Sequence, residues 1–149
     1  MFGPPGHLYV YFTYGMHYCA NLVCRPEGLA SGVLLRGGEV VEGADLARRR
    51  RPAARKASEL AQGPARLAVA LGLGREHNGV SVLQGEVTVR LPERARPQLV
   101  RNGPRVGVSG PGGSADYPWR FWLDGDPTVS RYKSGVVRGK RTTPGNGSI

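Results

Sequence analysis

The stretch from His7 to Val23, HLYVYFTYGMHYCANLV, decides the fold. Two runs of alternating, β-favouring residues flank a Gly-containing turn, the pattern of a β-hairpin. A three-residue loop of Tyr14, Gly15 and Met16 joins the runs. It sets Thr13 opposite His17, Tyr11 opposite Cys19 and Tyr9 opposite Asn21. Side chains alternate along a strand, so Tyr9, Tyr11, Cys19 and Asn21 then share one face. Tyr14 stands at the tip. A hairpin that serves only a core buries aliphatic residues and puts polar ones on its turn. A large aromatic there, above a face with two tyrosines and an amide, singles out Tyr11 and Tyr14 as functional candidates.

The rest of the chain bounds what such a hairpin can serve. A length of 149 residues suits one domain with a core of its own. Lys and Arg number 21 against 11 Asp and Glu, for a formal net charge of +10 and a pI near 10.4. Nearly all the excess is arginine, whose planar fork matches phosphate oxygens. A polyanion binder, nucleic acid above all, is the first reading, and a merely basic surface is the plain alternative. Twenty-three Gly and 12 Pro argue against an all-helical protein. Cys19 and Cys24 cannot make a zinc site, and their odd spacing on one strand points them to opposite faces, against a mutual disulfide. Reduced thiols and a cytoplasmic location are the expectation. No apolar run is long enough to cross a bilayer.

Outward from the hairpin, Arg25–Gly28 reads as a turn and Gly32–Val41 as an apolar strand interrupted by Arg36. An arginine ending a buried run either snorkels to water or requires a partner. Ala44–Ala61 reads as helix, with Asp45 in its first turn and Pro52 marking a break. Within it Arg48, Arg49, Arg50, Arg51, Arg55 and Lys56 put six cations in nine residues with no acid among them, a composition that favours phosphate contact over a simple solvated face. Gly63-Pro64 opens a second helix over Ala65–Leu73. Val80–Leu83, Val87–Leu91, Arg105–Ser109 and the aromatic Trp119–Leu123 read as short strands. Residues 131–149 read as a basic, disordered tail.

Familiar catalytic signatures do not occur: the chain has no phosphate-binding P-loop, dinucleotide fingerprint, HExxH or nucleophile elbow. His7, His17 and His77 are scattered. Glu39, Glu42 and Asp45 lie close enough in sequence for acid–base work, but acids collecting ahead of a helix are the simpler account.

The blocks LYVYFTYGMHYCANL, VLLRGGEVVEGADLARRR, LAQGPARLAVALGL, PRVGVS and WRFWLDGDPTVS resemble, in order, the alkyladenine (3-methyladenine) DNA glycosylase family. The resemblance runs from Met1 to about Ser130. It implies a mixed α/β (α+β) fold: a single domain, residues 1–130, with a curved antiparallel β-sheet, a protruding β-hairpin and flanking helices. It implies base-excision repair, in which an alkylated or deaminated purine is flipped out of double-stranded DNA and its N-glycosidic bond hydrolysed. That chemistry uses no metal or cofactor, and the expected protein is a monomer working at the nucleoid. By the same resemblance Tyr14 is the wedge that fills the vacated stack, and Tyr11 stacks on the extruded base. Asn21 excludes guanine, and Arg36 stands beside the pocket. Met1, the basic stretch Arg48–Lys56 and Arg105 contact the duplex.

The resemblance also implies a segment ahead of Met1 that carries a water-activating Glu, a second pocket Tyr and a His. The expectation is a misplaced or truncated start, with no catalytic residue in these 149 positions. The alternative function is a catalytically inactive remnant that binds lesions or duplex DNA.

Overall fold

Alternation of buried and outward residues makes the hairpin the centre of the computed structural model, which describes residues 1–94 and 97–135. Strands β1 (Leu8–Thr13) and β2 (His17–Leu22) pair antiparallel with Tyr9 opposite Asn21, Tyr11 opposite Cys19 and Thr13 opposite His17. This is the register that the loop length requires. Leu8, Val10 and Ala20 point to one side and bury against Ala68, Leu73 and Val82. A short third strand, β3 (Val33–Leu34), adds antiparallel to β2, with Asn21 opposite Leu34. The Leu35 N–H donates to the Ala20 carbonyl at 3.0 Å, so the register runs on past β3.

Two helices complete this unit, which comprises residues 1–94 and Gly125–Ser130. Helix α1 (Ala44–Arg50) ends well short of the predicted Ala61. Arg51 leaves helical geometry at φ −128° and ψ 60°, just ahead of Pro52, whose ring disfavours α conformation in the residue before it. Residues 57–59 form only a 3-10 turn. Helix α2 (Pro64–Leu71) starts on proline at its first position and stops at Gly72, which takes the left-handed conformation at φ 71°. Ala47, Leu60, Ala61, Leu67 and Ala70 form a second apolar cluster, and Leu35 packs against both clusters.

Three predicted strands of this unit take other forms. Only Val33 and Leu34 of the Gly32–Val41 run are strand, since Gly37-Gly38 ends the pairing after Arg36. Segment 79–82 lies along the outer edge of β1, bonding Gly79 N–H to Leu8 O and Val82 N–H to Gly6 O, yet it makes one isolated bridge, Ser81 with His7. Val87–Leu91 pairs with no strand among the described residues, although Val87 and Val89 pack on the core.

The second unit comprises residues 97–124 and, among the described residues, 131–135. Here β4 (Val100–Gly103) pairs antiparallel with β5 (Arg120–Leu123). The strand lies before the predicted Arg105–Ser109, because Pro104 and the left-handed Gly107 break extended pairing there. The fold is thus mixed α+β with two antiparallel sheets. Residues 136–149 of the expected disordered tail lie outside the described residues. Among those described, no helix is long and apolar enough to cross a membrane.

Candidate nucleic-acid interface

The hairpin face turned away from the core carries the candidate residues in rows. Cys19 stands opposite Tyr11, and the register carried on by Leu35 brings Arg36 opposite Cys19 from the other side. Tyr11, Cys19 and Arg36 therefore form one row across three chain segments, and Tyr9, Asn21 and Leu34 form the next. The rings of Tyr9 and Tyr11 stack nearly parallel with centroids 5.6 Å apart. Both are half-buried, so part of each ring remains accessible.

Titration behaviour follows from this packing. Burial pushes the Cys19 thiol above its ordinary range; a hydrogen bond with the Tyr11 side chain and the nearby Arg36 charge pull it back in part. Tyr11 is raised as well, first by burial and then by Cys19, with Tyr9 and Tyr14 adding to the effect. No carboxylate is among the groups that shift either residue. Asn21 is 7 % exposed, and its amide donates to the Tyr9 carbonyl at 3.3 Å. Its neighbour Gly32 packs tightly: a Cβ there would lie 3.2 Å from the Met1 sulfur and 3.3 Å from the Asn21 Cβ. Met1 thus stands beside Asn21, its carbonyl accepting from Ser31 N–H at 3.0 Å.

At the tip, Tyr14 is 86 % exposed. Its φ of 51° makes it the one non-glycine in the left-handed region among the described residues. Gly15 follows at φ 65°, and Met16 N–H closes the turn on Thr13 O. Two successive positive φ values match the twist of the flanking strands. Glycine or asparagine meets that demand with little strain, whereas a tyrosine does so at a conformational cost.

The predicted basic face separates into two groups. Arg50 donates to the Ala70 carbonyl at 3.1 Å and Arg51 to the Leu60 carbonyl at 3.3 Å, tying α1 to neighbouring segments. Arg48, Arg49, Arg55 and Lys56 are exposed. Glu59 accepts from the Arg55 and Lys56 N–H groups, chiefly Arg55, which lowers its carboxyl pKa. In the second unit Arg105 donates twice to the Gly112 carbonyl and lies 5.7 Å from the Trp119 ring centroid. Glu39, Glu42 and Asp45 are exposed.

A cavity of about 380 Å³ opens beside Tyr11, lined also by Val10, Phe12, Tyr18, Arg75 and Asn78. Of the row Tyr11, Cys19 and Arg36, only Tyr11 lines it, and Asn21 does not. Asn78 holds the outer edge of β1 there by accepting Val10 N–H at 3.0 Å. Sequence reading missed Arg75 and Asn78. The Asn78-Gly79 pair signals a turn, but nothing local signals that the turn reaches β1.

A model of the methylpurine-DNA glycosylase family matches residues 1–127. The chain belongs to the methylpurine-DNA glycosylase family. Three bacterial relatives carry the name "Putative 3-methyladenine DNA glycosylase". The Streptomyces avermitilis protein is 58 % identical over 145 residues, covering 95 % of this chain and 67 % of its own length. The Leifsonia xyli protein is 54 % identical, with 89 % of this chain and 63 % of its own length covered. For the Nocardia farcinica protein the figures are 49 %, 89 % and 62 %. The chain thus spans about two thirds of the length of these family members, and the match takes in the hairpin, the Arg36 row and both helices.

Proposed function

We propose that this chain is the lesion-recognising part of a monofunctional DNA glycosylase that removes alkylated or deaminated purines from duplex DNA. The observation that carries the reading is Tyr14: an exposed aromatic on strained backbone, at the tip of a hairpin whose outer face gathers Tyr11, Asn21 and Arg36. Tyr14 enters the duplex and fills the space of the flipped nucleotide, offsetting part of an unstacking cost of a few kcal/mol. Tyr11 offers a π-face to the extruded base, and an electron-poor alkylated purine gains cation–π attraction there. Asn21 is rigidly held and excludes the exocyclic amine of guanine, while Arg36 supplies a fixed charge beside the base. Met1, Arg48, Arg49, Arg55 and Lys56 face the duplex, and Arg105 makes a backbone contact. The protein acts as a monomer on DNA in the nucleoid.

Hydrolysis passes through an oxocarbenium-like state and requires a carboxylate to activate water. The three strands that build this face carry no Asp or Glu, which favours a second reading for the 149 residues taken alone: a module that binds damaged duplex without cleaving it.

Fluorescence anisotropy with labelled duplexes tests the first reading. Tyr14→Ala weakens binding to an abasic-analogue duplex about tenfold and to undamaged duplex much less; equal losses on both would remove the wedge. A base-release assay on hypoxanthine-containing DNA tests the second. Release by the 149-residue chain would overturn it. Release only by a chain extended into its upstream reading frame supports the glycosylase assignment for the longer protein.

A further inference from the structure

The two-stranded sheet of the second unit presents an apolar face that the duplex-binding hairpin does not account for. Alternation along β5 puts Phe121 and Leu123 on one side together with Trp119, the residue just before the strand; Arg120 and Trp122 take the other. Trp119 is 61 % and Phe121 64 % exposed. From β4, Val100 stands opposite Leu123 and Asn102 opposite Phe121, extending the same face. The face is built rather than bare. Tyr117 packs edge-on against Trp119 with ring centroids 5.1 Å apart. The Arg105 guanidinium lies 5.7 Å from the Trp119 centroid, anchored by its two bonds to Gly112 O.

We propose that Trp119 and Phe121, with Arg105, form a stacking platform for single-stranded nucleic acid. Charge argues for that occupant. Arg105, Arg131 and Lys133 lie in this unit, and the Lys133 carbonyl accepts Gly107 N–H at 2.9 Å, which holds residue 133 close to the Arg105 loop. One of the unit's two described acids, Asp124, is already engaged by Arg101 at 3.1 Å. Spacing argues for an unwound strand. Trp119 and Phe121, two residues apart in extended chain, sit roughly 6.6 Å apart along the backbone. That is about twice the 3.4 Å rise per nucleotide of one strand in duplex DNA. Consecutive bases reach both rings only when a strand is drawn out of the double helix, and every base offers a π-face for such stacking.

Binding of fluorescein-labelled dT12 to the 149-residue chain, read by anisotropy beside a 12-base-pair duplex, tests the proposal. Trp119→Ala and Phe121→Ala each weaken dT12 binding about fivefold or more, the lower end of what a base–aromatic stack contributes. Trp119→Phe keeps the ring and stays within about twofold of the unsubstituted chain, and duplex affinity changes less than twofold in all three. Tyr14→Ala leaves dT12 binding unchanged, which separates this platform from the hairpin. Unchanged dT12 affinity in both alanine variants would overturn the proposal, as would equal losses on dT12 and duplex. Sedimentation that shows Trp119→Ala dissociating a dimer, with dT12 affinity intact, would assign the face to a second copy instead.

Discussion

Tyr14 carries a conformational cost that its neighbours do not relieve. An L-residue in the left-handed region loses roughly 1–2 kcal/mol, and Asn tolerates that region better. Tyr14→Asn therefore leaves stability unchanged or raises it by up to about 1 kcal/mol in urea unfolding, while it abolishes the preference for abasic-analogue duplex. A clear loss of stability would instead give Tyr14 a packing role. Tyr11 and Cys19 lend the same face a pH dependence. Both are raised in the folded chain, from 10.0 and 9.0, first by burial. The folded state then holds these protons more tightly than the unfolded state. Their stabilisation is fully present below the ordinary thiol pKa and is lost as pH climbs through the raised folded values. Unfolding midpoints followed upward from neutral pH fall above about pH 9. A Tyr11→Phe, Cys19→Ala double variant flattens that alkaline fall, and an unaltered slope would mean that other groups cause it.

Helix α1 and its following turn show how similar residues divide between architecture and binding. Arg50 reaches the Ala70 carbonyl, and its guanidinium fills the space where a Cβ on Gly72 would come within 2.7 Å. Arg48, two residues earlier on the same helix, is exposed like Arg50 but makes no such tie to α2. Arg50→Ala costs about 1–2 kcal/mol in denaturant unfolding, from lost packing and an orphaned helix-end carbonyl. Arg48→Ala changes stability by less than about 0.5 kcal/mol but weakens duplex binding. The reverse pattern would exchange their roles. Gly72 itself, at φ 71°, takes a backbone conformation that L side chains rarely adopt.

On the scale of the whole molecule, charge sets how DNA is held. If Arg48, Arg49, Arg55 and Lys56 each neutralise one phosphate, the affinity for undamaged duplex falls with a log–log salt slope near −3.6, at about −0.9 per contact. Between 50 and 200 mM salt that amounts to roughly a hundredfold loss. The Arg48→Glu, Arg49→Glu double variant reduces the slope by about 2 units. A flat salt response from the unsubstituted chain would place the net charge of +10 outside the binding reaction.

Local sequence determined the hairpin completely, because alternation, a Gly-containing loop and strand pairing all act within 17 residues. The pairings of Tyr9 with Asn21 and Tyr11 with Cys19 were legible there, as was Tyr14 at the tip. Helix α2 was legible at its start, where Gly63-Pro64 opens it, but its predicted end at Leu73 overran the left-handed Gly72 that stops it after Leu71. Other features were decided by contacts distant in sequence. Arg36 joins Tyr11 and Cys19 only because β3 adds to β2 in one register. Arg50, though exposed, and Arg51 became ties because the carbonyls of Ala70 and Leu60 came within reach. Segments 80–83 and 87–91 have strand-like composition, yet a strand exists only when a partner supplies the other half of its hydrogen bonds. Tertiary structure placed a full partner beside neither segment.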